Sequence, residues 1–134
     1  MSKKGVILNV LLPIVLGGCL YYLYFPNIYF VKIIDNIIGN SFHLEMQMEH
    51  VQILRVVRNY IFDILWAYAF MSMCYYICCD SKNGAIMSFQ IALSCSIILE
   101  CLQLFPNIRG TFDGIDIICE GMAELLALFI IKKK

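Results

Sequence analysis

Four runs of about twenty mostly apolar residues, near 5–25, 60–79, 85–105 and 115–131, constrain this chain more than any motif does. A helix of that length matches the hydrocarbon thickness of a bilayer. Inside hydrocarbon, only helices and closed barrels satisfy their own backbone polar groups. Composition points the same way: 61% of the 134 residues are hydrophobic and 15% are charged. A soluble domain carries about 45–50% and about 25%. The expected fold is an all-α integral membrane protein, a four-span helical bundle forming a single domain over residues 1–134. A formal net charge of zero leaves no basic footprint for nucleic acid.

The first run follows Met1-Ser2-Lys3-Lys4-Gly5 and so resembles a secretory leader. It is long, however, and no small-x-small cleavage site follows it. Tyr21, Tyr22, Tyr24 and Phe25 close it as an interfacial belt would, so it reads as an uncleaved first span. Pro13 and Gly17-Gly18 invite a kink, and Pro26 stops the helix. The second run, YIFDILWAYAFMSMCYYICC, carries Asp63 one turn inside its start, and Asn59, Asp63, Trp66 and Phe70 share a helical face. The short polar turn Asp80-Ser81-Lys82-Asn83-Gly84 makes spans two and three antiparallel neighbours.

The long connection, 26–59, is less regular. Between 42 and 58, Leu44, Met48, Val51 and Leu54 recur at helical spacing opposite Glu45, Glu49 and Gln52, while Phe42, Leu44, Met46 and Met48 alternate as a strand would. An amphipathic helix on the outer membrane face, leading into the second span, is the favoured reading; an ordinary packed loop helix fits equally well. Basic residues in short flanks set orientation. With both termini on one side, that side holds Lys3, Lys4, Lys82, Lys132, Lys133 and Lys134. Both termini are therefore expected in the cytoplasm, and the turn 106–114 on the outer face.

That topology brings polar residues to one depth. Asp63 opens the second span, Glu100 and Gln103 end the third, and Asp116 and Glu120 open the fourth. Ser96, Glu100 and Gln103 share a face, as do Asp116, Glu120 and Glu124; Asp113 lies in the turn. Ionisable groups in hydrocarbon are costly and by default mark functional sites. Asp63, Glu100, Asp113, Asp116 and Glu120 face one nearby cation, Arg109, so they cannot all be ionised at low cost. Arg109 is able to grip one carboxylate, or a phosphate on a ligand, with two prongs. Pairing inside the protein is the blander alternative.

Other features carry less. All seven cysteines fall in apolar runs, where Cys acts as a small hydrophobe, and neither their spacing nor a neighbouring His suggests zinc. No cofactor or metal is expected. His43 and His50, with Glu45 and Glu49 near, read as the polar face of the surface helix. Ser94 and Ser96 lack a partner His for nucleophilic catalysis.

The outer hairpin also resembles a known family. Glu100-x-x-Gln103, then Arg109-Gly110-Thr111-Phe112-Asp113-x-x-Asp116, then a polar residue at 120, looks like the VanZ-like membrane proteins. Asp63 within Ile61-Phe62-Asp63-Ile64-Leu65-Trp66 resembles the motif opening an earlier span in many members. Glu120 and Ala123 stand where many members have Asn and Gly. The family takes its name from an accessory protein of teicoplanin and glycopeptide resistance. The resemblance implies a bacterial inner-membrane protein acting at the outer face, with membrane lipids around it.

The site residues expected from these readings are Asp63, Glu100, Asp113 and Asp116 as proton-handling or catalytic candidates, with Gln103, Arg109 and Glu120 binding ligand. The expected ligand is a lipid-linked or anionic cell-envelope molecule, an envelope precursor or a lipoglycopeptide, with an effect on glycopeptide susceptibility. The alternative is a non-enzymatic helper subunit or antibiotic-shielding protein, acting with a membrane-protein partner or as a homo-oligomer, whose polar cluster is structural. A third reading, a proton or cation pathway, is opposed by 125–131, which is wholly apolar.

Overall fold

The computed structural model describes residues 3–25, 29–39, 52–78, 83–105 and 111–132. Helix α1 is continuous through three segments, Lys3–Val6, a π-helical turn Ile7–Leu11, and Leu12–Tyr24. Helix α2 spans Tyr29–Ile38, α3 Gln52–Cys78, α4 Gly84–Leu102 and α5 Gly114–Lys132. No strand occurs among the described residues. Helix α3 is the hub: α1, α4 and α5 all pack on it, and α4 and α5 pack on each other.

The packing is made by small side chains. On α4 one buried row runs Ser88, Ala92, Ser96, Glu100; on α5 the buried face is Glu120, Ala123, Glu124, Ala127 and Ile131. Ala67, Ala69, Met71, Ser72 and Cys74 supply the buried positions of α3. Large apolar residues point outward instead: Ile77, Met122 and Phe129 are 69%, 67% and 70% exposed. In water that arrangement would forfeit most of the hydrophobic driving force. In lipid it is the expected one, since tails solvate Leu and Phe and helices associate through small residues.

Among the described residues, three segments are long and apolar enough to cross a membrane: Ile7–Tyr24, Tyr60–Cys78 and Gly84–Leu102. The fourth expected span, α5, has the length, at 19 residues, but carries Asp116, Glu120 and Glu124. The 27 residues of α3 measure about 40 Å at 1.5 Å per residue, more than the bilayer core of about 30 Å. Its first two turns therefore extend the span seamlessly. Of the amphipathic helix expected over 42–58 and leading into the second span, residues 52–58 are continuous with α3, while 40–51, with His43 and His50, lie outside the described residues. The amphipathic helix that is described between α1 and α3 is α2. It turns Val31 inward, with 1% exposed, and leaves Tyr29 and Ile37 about four-fifths exposed, at 80% and 79%.

Two features anchor α1. Pro13 lacks an N–H and its ring crowds the carbonyl four residues back, at Asn9. The helix answers by widening to a π turn over Ile7–Leu11, a common resolution of such conflicts. Asn9, buried there, donates from Nδ2 to the Gly5 carbonyl at 3.0 Å and accepts from the Tyr68 hydroxyl at 2.9 Å, tying α1 to α3. Farther along, Tyr21 and Phe25 meet Phe62 edge-on at 5.6 and 5.5 Å between ring centres, and the Tyr22 hydroxyl donates to Asp35 of α2.

Candidate functional site

Helix α5 starts with Asp113 as its cap. Its Oδ1 accepts from the Ile115 N–H at 2.9 Å, satisfying a backbone donor that the first turn leaves without an intrahelical partner. Its Oδ2 accepts from the Tyr60 hydroxyl on α3 at 3.1 Å. Glu100, 6% exposed, holds the other side: Oε1 accepts from Gln103 Nε2 at 2.7 Å, and Oε2 from the Asp113 N–H at 3.2 Å. Glu100 and Asp113 thus lock the ends of α4 and α5 to each other, and Tyr60 locks both to α3.

Beside this lock lie Asp63 and Asp116, both half-buried. Asp63 is close enough to Asp116, Glu120 and Glu100 to feel the charge of each. The side chains of Asp63 and Asp116 make no hydrogen bond among the described residues. One turn farther in, Glu120 is 9% exposed and Glu124 fully buried. The Ser96 hydroxyl of α4 donates to Glu124 Oε1 at 3.1 Å. Glu120 Oε2 and Glu124 Oε2 are buried without a hydrogen-bond partner, an arrangement that ordinarily costs about 1–3 kcal/mol per atom.

Of the residues singled out from sequence, Asp63, Glu100, Gln103, Asp113, Asp116 and Glu120 come together at one end of the bundle; Arg109 lies outside the described residues. The geometry divides the six. Glu100, Gln103 and Asp113 have partners within the protein. Asp63 and Asp116 are poised without one. Tyr60 escaped notice because tyrosines read as belt material, although its place three residues before Asp63 puts both on one helical side. Glu124 was visible as a third acid on the α5 face, but its complete burial was not. The six described cysteines, Cys19, Cys74, Cys78, Cys95, Cys101 and Cys119, are free, and no described group of three His, Cys, Asp or Glu is arranged to hold a metal ion.

Comparison with known proteins adds no relative: the chain matches no family model, no curated protein and no solved structure.

Proposed function

We propose that this chain is a four-span, VanZ-like protein of the bacterial inner membrane. Its outer-face cluster takes the polar head of a lipid-linked or anionic cell-envelope molecule. The observation that carries this reading is the pair Asp63 and Asp116. Two carboxyls from different helices stand together, without side-chain hydrogen-bond partners among the described residues, at the end of the bundle where the connection bearing Arg109 leaves α4. Arg109 holds the anionic group, and the free carboxyls orient it or exchange protons with it, one that keeps its proton acting as general acid. Glu100, Gln103 and Asp113 form the frame.

Helix α5 serves as the fourth span because its acids turn inward. Glu120 and Glu124 are buried, while Ile118, Met122, Leu126 and Phe129 face outward, each more than half exposed. Intramembrane acids facing a bundle interior are the tolerated kind. Both termini are cytoplasmic by the distribution of lysines, which puts the cluster on the extracytoplasmic side.

The second reading, a helper subunit or antibiotic-shielding protein with a structural network, is favoured by Glu100, both of whose oxygens are bonded within the chain. Native mass spectrometry of the protein in mild detergent, beside Arg109→Ala and Asp116→Asn, separates the two. A discrete anionic mass on the unmodified chain, lost in Arg109→Ala with folding intact, supports the ligand site. Absence of any such mass, with Arg109→Ala markedly less heat-stable, makes Arg109 a structural counter-ion and removes the ligand-site reading.

A further inference from the structure

Helix α5 carries a stripe that the polar cluster does not use. Cys119, Met122, Ala123, Leu126 and Phe129 recur at three- and four-residue spacing, which sets them along one helical face. With Ile64 of α3 they wall an outward-facing groove of about 510 Å³. Ala123 is its floor, 4% exposed, while Met122 and Phe129 stand out on its rim at 67% and 70%. The groove starts where the Asp63 and Asp116 carboxyls stand: Ile64 follows Asp63 directly, and Cys119 lies close enough to Asp116, Asp63 and Asp113 to feel the charge of each. From Cys119 to Phe129 it runs about 15 Å at 1.5 Å per residue. That is half of a bilayer core of about 30 Å, the depth of one leaflet.

A lipid-linked molecule whose head sits beside Asp63 and Asp116 has to pass its chain out of the bundle. Between α4 and α5 the way is shut, because Glu100 accepts from the Asp113 N–H and ties the two helix ends together. The interior below is filled by Glu124 and Ala127, both 0% exposed. Another apolar cavity, about 300 Å³ between α1, α2 and α3, takes no wall from α5 and so has no contact with the Asp116 side of the pair. The α3–α5 groove opens directly beside both carboxyls, and its side chains carry no group that needs a hydrogen-bond partner. Helices that meet in lipid do so through small residues. Here one alanine lies among Met122, Leu126 and Phe129, a contour that suits a narrow hydrocarbon chain better than a second helix.

We propose that the α3–α5 groove seats the hydrocarbon chain of an anionic lipid-linked molecule, which enters sideways from the outer leaflet between Ile64 and Cys119. The proposal rests on the reading of the outer cluster as the head-group site and adds where the chain goes. The test uses the full-length protein in phosphatidylcholine nanodiscs with dodecyl phosphate bearing a diazirine at its chain end. After photolysis, mass spectrometry of the peptides locates the label, with unlabelled dodecyl phosphate or dodecanol as competitor. The same measurement is made on Ile64→Trp and Met122→Trp, which fill the groove from positions 38% and 67% exposed. Ile118→Trp, at an outward position 62% exposed but outside the groove, is the control, and Arg109→Ala tests the head.

The expected result is saturable labelling within 122–129, displaced by dodecyl phosphate at membrane fractions where dodecanol leaves it in place. Ile64→Trp and Met122→Trp each weaken it by roughly tenfold or more, a loss of about 1.4 kcal/mol. Ile118→Trp leaves it within a factor of about 3, and Arg109→Ala weakens it through the head. Label that depends on Arg109 but spreads over α1, α2 or α4, or that neither groove variant weakens, overturns the groove and leaves the head-group site standing. Displacement by dodecanol as effective as by dodecyl phosphate, with Arg109→Ala without effect, removes the head-group site and this proposal with it. Dimers without label at 122–129 give the groove to a second copy and also overturn it. Should a tryptophan variant fail to fold, the position of the label on the unmodified chain decides.

Discussion

Ser96 has one proton to give and two buried carboxyls beside it, and it gives the proton to Glu124. Removing the hydroxyl leaves a fully buried carboxyl with neither oxygen bonded. Ser96→Ala should therefore lower unfolding free energy by about 1–3 kcal/mol, the penalty of an orphaned buried polar group. In a Glu124→Met background, where nothing is left to satisfy, the same change should cost close to nothing, since contacting residues couple. Denaturant titration of the four proteins in detergent measures the difference. Equal losses in both backgrounds would mean that the hydroxyl serves something other than Glu124. Tyr68→Phe makes a companion case. It strips Asn9 of a donor and should cost about 0.5–1.5 kcal/mol, through an α1–α3 tie that no periodicity in the sequence announces.

Among the elements, the close approach of α4 and α5 rests on residues that leave little room. Ala92 and Ala127 are wholly enclosed, so Ala127→Leu should cost about 1–3 kcal/mol by overpacking. At Gly121, by contrast, an added Cβ meets only Leu93 Cδ1, at 3.5 Å. Gly121→Ala should thus be neutral or gain about 0.5–1 kcal/mol from the backbone entropy that glycine forfeits in a helix. Melting temperatures of the two variants check both signs together; a large loss in Gly121→Ala would show that the two helices sit closer than these distances allow. Element identity was legible because apolar runs of spanning length are strong signals. The junction of the connection with α3 was not. Leu44, Met48, Val51 and Leu54 set a helical period that reads equally well as a surface helix or as an ordinary packed loop helix, and nothing in it marks Gln52 as part of α3. Residues 28–38, interrupted by Lys32, Asp35 and Asn36, are too short and too polar to read as a span, and nothing in their sequence announces that Val31 is 1% exposed. The convergence of Asp63, Glu100 and Asp116 was legible from topology alone. What was not is the division of labour, since a cap at Asp113 and a hydroxyl from Tyr60 are decided by angstrom-scale geometry.

For the molecule as a whole, the decisive question is which way the bundle faces. The proposed function requires the carboxyl cluster to open on the extracytoplasmic side. In the proposed orientation, with the lysines at both ends and at 82 in the cytoplasm, Asn83 lies with the termini and Thr111, at the far end of α4, lies on the opposite face. Both positions are exposed, and the helices beside them are 19 residues long, about 28 Å at 1.5 Å per residue. That length keeps the two positions on opposite sides of a bilayer core of about 30 Å. In a cysteine-free chain, a membrane-impermeant thiol reagent applied to intact cells should label Thr111→Cys at once. Asn83→Cys should be labelled only after permeabilisation. The reverse pattern would put the cluster in the cytoplasm, where lipid-linked precursors are assembled rather than displayed, and would remove the outer-face reading while leaving the packing intact. Labelling of both from outside would mean that α4 does not cross the membrane. The inward-turned acids of α5 would then need another account, since outside a bilayer nothing compensates the large apolar side chains that this bundle turns to its exterior.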